Sequence, residues 1–176
     1  MPDAPPSIVP DTKDWTWVLD APCPECGFVA GDIDVARVGD AIRADAATWA
    51  RALERPEPSV RTRPEVWSVT EYACHVRDVH VLFAERVRSM LDQDDPHFAS
   101  WDQDATAVER DYHLAEPDVV RSELLAAADA VAALYDGVPA AALDRTGSRS
   151  DGSTFTVASI ARYHLHDVVH HSWDVR

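Results

Sequence analysis

Apolar residues recur at intervals of three and four positions in four long stretches of the chain. That spacing places them along one stripe of an amphipathic helix. Ser68 followed by Glu71 predicts a capping box at the start of the second stretch. A cap at Ser153 or Thr156 is expected to start the last one, which continues to the C-terminus. The pattern therefore predicts four helices, over residues 33–53, 69–91, 116–135 and from about 156 onward.

Four helices of this length, with no stretches that suggest paired strands, predict an all-α protein built as an antiparallel-type four-helix bundle. The acidic, aromatic connection 92–116 is too long for a plain loop, so we expect it to contain some helix. Residues 34–176 form the predicted bundle, and residues 1–33 form an extended N-terminal arm. Because two exposed tryptophans are costly to leave in water, Trp15 and Trp17 should dock this arm on the bundle.

The formal net charge of −15 excludes the usual nucleic-acid binders, because such a surface repels phosphates and the sequence has no basic stripe. The same charge disfavours anionic membranes, and no apolar run approaches the roughly 20 residues of a membrane span. The N-terminus lacks the features of a secretion signal, so a cytoplasmic location is expected. Three cysteines in such a chain are expected to be reduced thiols.

The last fourteen residues hold four of the eight histidines, together with Asp167 and Asp174. Two pairs at i,i+4 spacing lie on adjacent turns of the predicted helix, as a chelating pair requires: Asp167 with His171, and His166 with His170. Relative to the apolar stripe, the first pair lies on its flank and the second points nearly opposite. His75 lies on the flank of its own stripe. The competing interpretation is a solvated polar cluster at a helix C-terminus.

These residues resemble the DinB/YfiT-like superfamily of metal-binding four-helix bundles. The resemblance rests on two motifs, Trp67 with His75-Val76-Arg77-Asp78 and His170-His171-Ser172-Trp173-Asp174-Val175. It implies one ligand from the second helix and an i,i+4 pair from the fourth, which makes His75, Asp167 and His171 the expected set. A carboxylate ligand is similar to the mycothiol-dependent maleylpyruvate isomerase branch. Most branches have histidine there, so His166 and His170 stay the alternative pair.

The resemblance implies a divalent ion, Zn²⁺ or Ni²⁺, with open coordination positions. Some members use such an ion to activate a low-molecular-weight thiol for S-transfer or isomerisation, and we expect a small-molecule substrate. Arg77, Trp101 and Tyr112 are candidates to line its pocket. The alternative function is a non-catalytic metal-binding or stress-related bundle that acts through dimerisation or partner binding. In such a protein a fourth protein ligand would complete the coordination of the ion. A homodimer is among the expected assemblies.

The segment Cys23-Pro24-Glu25-Cys26-Gly27 resembles half of a zinc knuckle. No second Cys-x-x-Cys is present to complete a four-thiolate site. Three interpretations remain open: the arm folds back so that a cysteine reaches the histidines, the pair is redox-active, or the segment is a tight turn of small buried residues. Cys74 faces another direction from His75 and is expected to lie in the core.

Overall fold

The computed structural model describes residues 8–10 and 13–176. Within them the chain forms five α-helices and a small three-stranded sheet. The helices are α1 Val38–Leu53, α2 Val69–Asp92, α3 Gln103–Glu109, α4 Pro117–Asp136 and α5 Val157–Asp174; the strands are β1 His97–Phe98, β2 Thr146–Arg149 and β3 Thr154–Thr156. Short 3₁₀ turns lie at Thr16–Leu19, Ala30–Asp32, Val35–Arg37, Tyr112–Leu114 and Ala140–Ala142.

The four long helices α1, α2, α4 and α5 pack into the predicted bundle. α4 lies against both α1 and α2, and α5 closes the bundle against the same two helices. Their apolar stripes meet in a core around fully buried side chains that include Trp49, Ile42, Leu124, Ile160 and Leu165. The four-helix bundle is therefore confirmed, and α2 and α5 run side by side where the candidate ligands lie.

Side-chain caps fix where these two helices begin. The Glu71 N–H donates to Ser68 Oγ over 3.2 Å, and the Ser68 N–H donates to Glu71 Oε2 over 2.8 Å. Thr156 and Ser159 make the equivalent reciprocal pair at the start of α5. Each capping box satisfies two backbone donors that the first turn leaves free. Because the caps fix the first residue of α2 and of α5, they also fix the directions in which His75 and Asp167 point from these helices.

The sequence analysis was wrong to expect no strands. β1 pairs in parallel with β2, which pairs antiparallel with β3. These strands have two to four residues, too few to show an alternating pattern. A side chain at Gly147 would have its Cβ 2.8 Å from Met90 Cγ, so glycine allows β2 to approach α2. The sheet joins the connection after α2 to the hairpin before α5.

The described part of the arm lies along α5. Its 3₁₀ turns at Thr16–Leu19 and Ala30–Asp32 both contact that helix. Val18, Cys23 and Phe28 are buried in the main core, and the Arg162 guanidinium donates to the Ile33 carbonyl over 3.2 Å. The arm therefore covers a face of α5 that would otherwise meet solvent. In the part of the chain that the structure describes, no helix combines the length and apolar character needed to cross a bilayer.

Candidate metal centre

Three potential ligands from two helices converge at one point. His75 comes from the second turn of α2, and Asp167 and His171 lie one turn apart on α5. Asp167 Oδ1 is 3.4 Å from His75 Nε2 and 3.6 Å from His171 Nε2. One ligand atom from each of the three residues lies within 4.8 Å of the other two. The structure thus brings together the set that the superfamily resemblance implied; we call it the triad.

The triad has the charge and the unfilled hydrogen bonds of a cation site. Among residues 8–10 and 13–176, neither ring nitrogen of the fully buried His75 has a hydrogen-bond partner, and Asp167 Oδ1 also has none. Burial lowers the pKa of His75, which favours the neutral imidazole. Burial would raise the pKa of Asp167, but the two histidines lower it below its ordinary value. Neutral imidazoles and an ionised carboxylate are the forms that bind a divalent ion, so the residues fit the metal.

A further carboxylate orients His171. The Nδ1 of His171 lies 2.9 Å from Asp174 Oδ2, so a proton on Nδ1 leaves the Nε2 lone pair facing Asp167. Ligating histidines usually have such a carboxylate partner, which fixes the tautomer and the ring. Asp174 is the acidic position of the terminal motif quoted above. The sequence signal for it was present, but the sequence analysis gave it no role.

The triad opens into a cavity of about 930 Å³. Aromatic rings form much of its wall: Trp101 stacks on His75 with ring centroids 5.3 Å apart, and Trp67 lies 5.4 Å from the same ring. The Tyr72 ring is 5.3 Å from that of His171. Trp101 was expected in the pocket; Trp67 and Tyr72, which precede His75 by eight and by three residues, were not.

Arg77 and Tyr112, the other two residues expected in the pocket, are not among those that line it. Both are drawn to the buried carboxylate of Asp78. The Tyr112 hydroxyl donates to Asp78 Oδ2 over 2.5 Å, and Arg77 Nε donates to Asp78 Oδ1 over 2.9 Å. Arg77 also pairs with Glu123 over 2.7 Å. These side chains tie α2 to its neighbours.

His166 and His170 point away from the triad, but they are buried rather than solvated. The arm covers them, and the Trp15 ring centroid is 4.9 Å from that of His170. Cys23 and Cys26 lie beside them, so the structure groups four further donors that do not belong to the triad. Cys74 is buried in the core, as expected.

Comparison with known proteins places this arrangement in a family. A family model described as the DinB superfamily matches residues 39–174. The chain belongs to the DinB superfamily. The match spans α1 to α5 and includes the whole triad, and it leaves out the arm. A search of curated proteins gives no significant match.

The DinB fold is also seen in a solved structure. The chain is similar to YfiT from Bacillus subtilis, with a TM-score of 0.69 and 18% identity over 80% of this chain and 85% of that one. YfiT is described as a probable metal-dependent hydrolase with an unusual four-helix bundle topology. At this identity the similarity shows a shared fold.

Proposed function

We propose that this chain is a divalent-metal-dependent enzyme acting on a small molecule, with His75, Asp167 and His171 as the protein ligands. One observation carries the proposal: the triad supplies three donors and faces a large cavity. Among residues 8–10 and 13–176, no fourth His, Cys, Asp or Glu joins this group. Three protein ligands with an open position are typical of catalytic zinc sites, whereas structural sites are closed by four. This favours an enzyme over a non-catalytic binding protein.

We further propose that the nucleophile is the thiol of a low-molecular-weight cofactor, used for S-transfer or isomerisation. A bound Zn²⁺ or Ni²⁺ supplies Lewis acidity, which lowers the pKa of an incoming nucleophile. The carboxylate ligand Asp167 supports a thiol, because the mycothiol-dependent branch has an acidic residue there. The cavity has room for a thiol and an electrophile together. Water is the competing nucleophile, since YfiT is described as a probable hydrolase.

The residues around the triad control its access to water. Trp101 stacks nearly parallel to His75, with 19° between the ring planes, and Trp67 packs on the same imidazole. These apolar rings leave His75 without solvent contact. A low-polarity wall strengthens the interaction between the ion, its ligands and a charged nucleophile. Trp101 and Trp67 thus act as positioning residues.

A buried arginine in the cavity wall supports the proposal of an anionic substrate. Arg86 is 5% exposed, donates to the Ala99 carbonyl over 3.0 Å and lies over the rings of Phe83 and Phe98. Burial lowers its pKa to about 10, so it stays charged near neutral pH. Within the described ranges 8–10 and 13–176, no carboxylate forms an ion pair with it. A carboxylate on the substrate would supply the missing counter-charge.

The test combines metal analysis with a thiol-transfer assay. Zinc- or nickel-loaded protein is given a low-molecular-weight thiol and a small carboxylate-bearing electrophile, and loss of free thiol is followed. We expect turnover by the wild type, loss of triad metal and of turnover in His75→Ala, and no change in His113→Ala, an exposed histidine control. Arg86→Gln should raise KM for the electrophile by about tenfold, the value of one charged hydrogen bond.

Three outcomes would contradict parts of the proposal. Retention of all metal by both His75→Ala and His171→Ala would remove the triad as the metal site. Turnover of an ester or amide without added thiol would make water the nucleophile and replace thiol transfer by hydrolysis. An unchanged KM in Arg86→Gln would show that Arg86 does not bind the substrate.

A further inference from the structure

Three buried donors and one half-buried donor meet on the face of α5 that the arm covers. The Cys23 and Cys26 sulfurs and one nitrogen each of His166 and His170 all lie within 4.8 Å of one another. Cys23 Sγ is 3.6 Å from His170 Nδ1. Two thiols separated by two residues and two imidazoles one helical turn apart form a Cys₂His₂ set, which is a standard structural zinc donor set. We call these four residues the arm cluster.

The turn that contains the cysteines is shaped to present both sulfurs to one point. The Cys23 N–H donates to the Phe28 carbonyl over 2.9 Å, and the Gly27 N–H donates to the Cys23 carbonyl over 2.9 Å. Gly27 has φ of 77°, a left-handed conformation that side-chain-bearing residues rarely adopt. Backbone hydrogen bonds therefore fix the conformation of this turn, and that conformation favours glycine at position 27.

One polar atom of the arm cluster is unsatisfied, which packing alone does not explain. Cys23 is 1%, His166 3% and His170 6% exposed, and in the part of the chain that the structure describes His166 Nε2 has no hydrogen-bond partner. An unsatisfied imidazole nitrogen in the interior is costly unless it binds something.

A carboxylate also lies behind the cluster, as expected of a metal site. Glu25, between the two cysteines, has Oε2 3.4 Å from His170 Nε2, while the other nitrogen of that ring faces Cys23. A histidine that ligates through one nitrogen and contacts a carboxylate through the other is the usual arrangement around zinc. Trp15 and Phe28 pack against the His166 ring and shield the cluster.

We propose that Cys23, Cys26, His166 and His170 bind a structural zinc ion that clips the N-terminal arm onto α5. Four protein ligands close the coordination sphere, so this ion holds the fold and takes no substrate. The arm residues Val9, Lys13 and Trp15 line the cavity of the triad. The clip thereby forms one wall of that cavity. The proposal does not depend on the chemistry proposed for the triad.

The first experiment counts metal in the full-length protein and replaces it with cobalt. We expect two ions per chain in the wild type and one in the double variant Cys23→Ser, Cys26→Ser. Cys74→Ala, the matched cysteine control, should keep both. The cobalt protein should show a thiolate-to-metal charge-transfer band that persists in His75→Ala and disappears in the double variant. Persistence of the band in the double variant, or full metal content there, would overturn the proposal.

A second experiment uses unmodified protein, in case the double variant does not fold. Titration with a mercurial thiol reagent should release one zinc ion per chain, detected with a chromogenic chelator. Hydrogen exchange at residues 23–28 should then accelerate by about tenfold or more as the turn opens. Oxidation to a Cys23–Cys26 disulfide in the protein as isolated, or thiols that react at once with no zinc release, would instead establish a redox pair or a plain turn.

Discussion

Replacing Tyr112 by phenylalanine should destabilise the fold and leave metal binding by His75, Asp167 and His171 unchanged. The Tyr112 hydroxyl donates to Asp78 Oδ2 over 2.5 Å, and both side chains are buried. Burial, and then the charge of Asp78, raise the pKa of Tyr112 above its ordinary value, so the phenol keeps its proton and remains the donor. The variant removes that donor and changes little else in shape.

The magnitude follows from what remains around Asp78. A buried hydrogen bond to a charged group contributes about 1.5–3 kcal/mol. In the variant Arg77 and Arg110 still contact the Asp78 carboxylate, at 2.9 Å and 3.0 Å, so its negative charge keeps two ion-pair partners. The lower part of the range therefore applies, about 1.5–2 kcal/mol. For a chain of this size the corresponding fall in Tm is roughly 3–8 °C.

Urea denaturation monitored by circular dichroism measures this loss, and metal analysis is run on the same samples. Arg110→Ala is the control, because Arg110 contacts the same oxygen, Asp78 Oδ2, from a side chain 60% exposed. An exposed ion pair contributes only about 0–1 kcal/mol. Equal losses in Tyr112→Phe and Arg110→Ala would refute the burial argument. Loss of triad metal in Tyr112→Phe would refute the placement of Tyr112 outside the pocket.

Two further substitutions test the surroundings of α5. Asp174→Asn should weaken metal binding by the triad about tenfold, because it loosens the hold on His171 Nδ1; competition with a chromogenic chelator measures this, and the exposed Asp144→Asn should have no effect. Burial raises the pKa of Asp45 from 3.8 to about 6. The contribution of Asp45 to stability is therefore most favourable below about pH 4 and is lost as the pH rises to about 6. Asp45→Asn keeps an acceptor for Ser172 and should stabilise the protein by about 3 kcal/mol at about pH 8, with the gain disappearing toward about pH 4. A pH-independent gain would contradict this.

The long helices were predictable because each repeats its apolar pattern over several turns. α2 ends within one residue of its predicted boundary, and its start was marked by the Ser68 capping box. The first helix was predicted from Ile33 but begins at Val38. A 3₁₀ turn precedes it, in which Asp34 accepts from the Ala36 N–H. Periodicity alone does not separate such a turn from the first turn of an α-helix.

The surroundings of the sites depended on contacts distant in sequence. Trp101 reaches His75 because the connection around it is held by pairing of β1 with β2, and strands of two to four residues leave no pattern to detect. Arg77 was a candidate to line the pocket, but its position in the sequence does not show which side chains surround it. Its neighbour proved to be Asp78, already satisfied by Tyr112.

His166 and His170 show what a stripe count leaves open. A side chain that faces away from the apolar stripe faces solvent only where one side of its helix is packed. α5 is covered on both sides, by α2 and by the arm. The contact between Cys23 and His170 spans 147 positions, and nothing local to either residue indicates it. The cysteine pair and the histidine pair were each visible, and their meeting was one of three interpretations that the sequence left open; the structure places them together.

The two ligand pairs on the last helix exclude one another only for a single ion. A step of one residue turns the side-chain direction by about 100°. Asp167 and His171 therefore face α2, while His166 and His170 face the arm. Asp174 lies beside both, 2.9 Å from His171 Nδ1 and 3.9 Å from His170 Nε2. One helix can therefore supply a ligand pair to each of two sites when a different segment of the chain covers each face. α2 adds one donor and the arm adds two, so only the site beside α2 would keep an open coordination position.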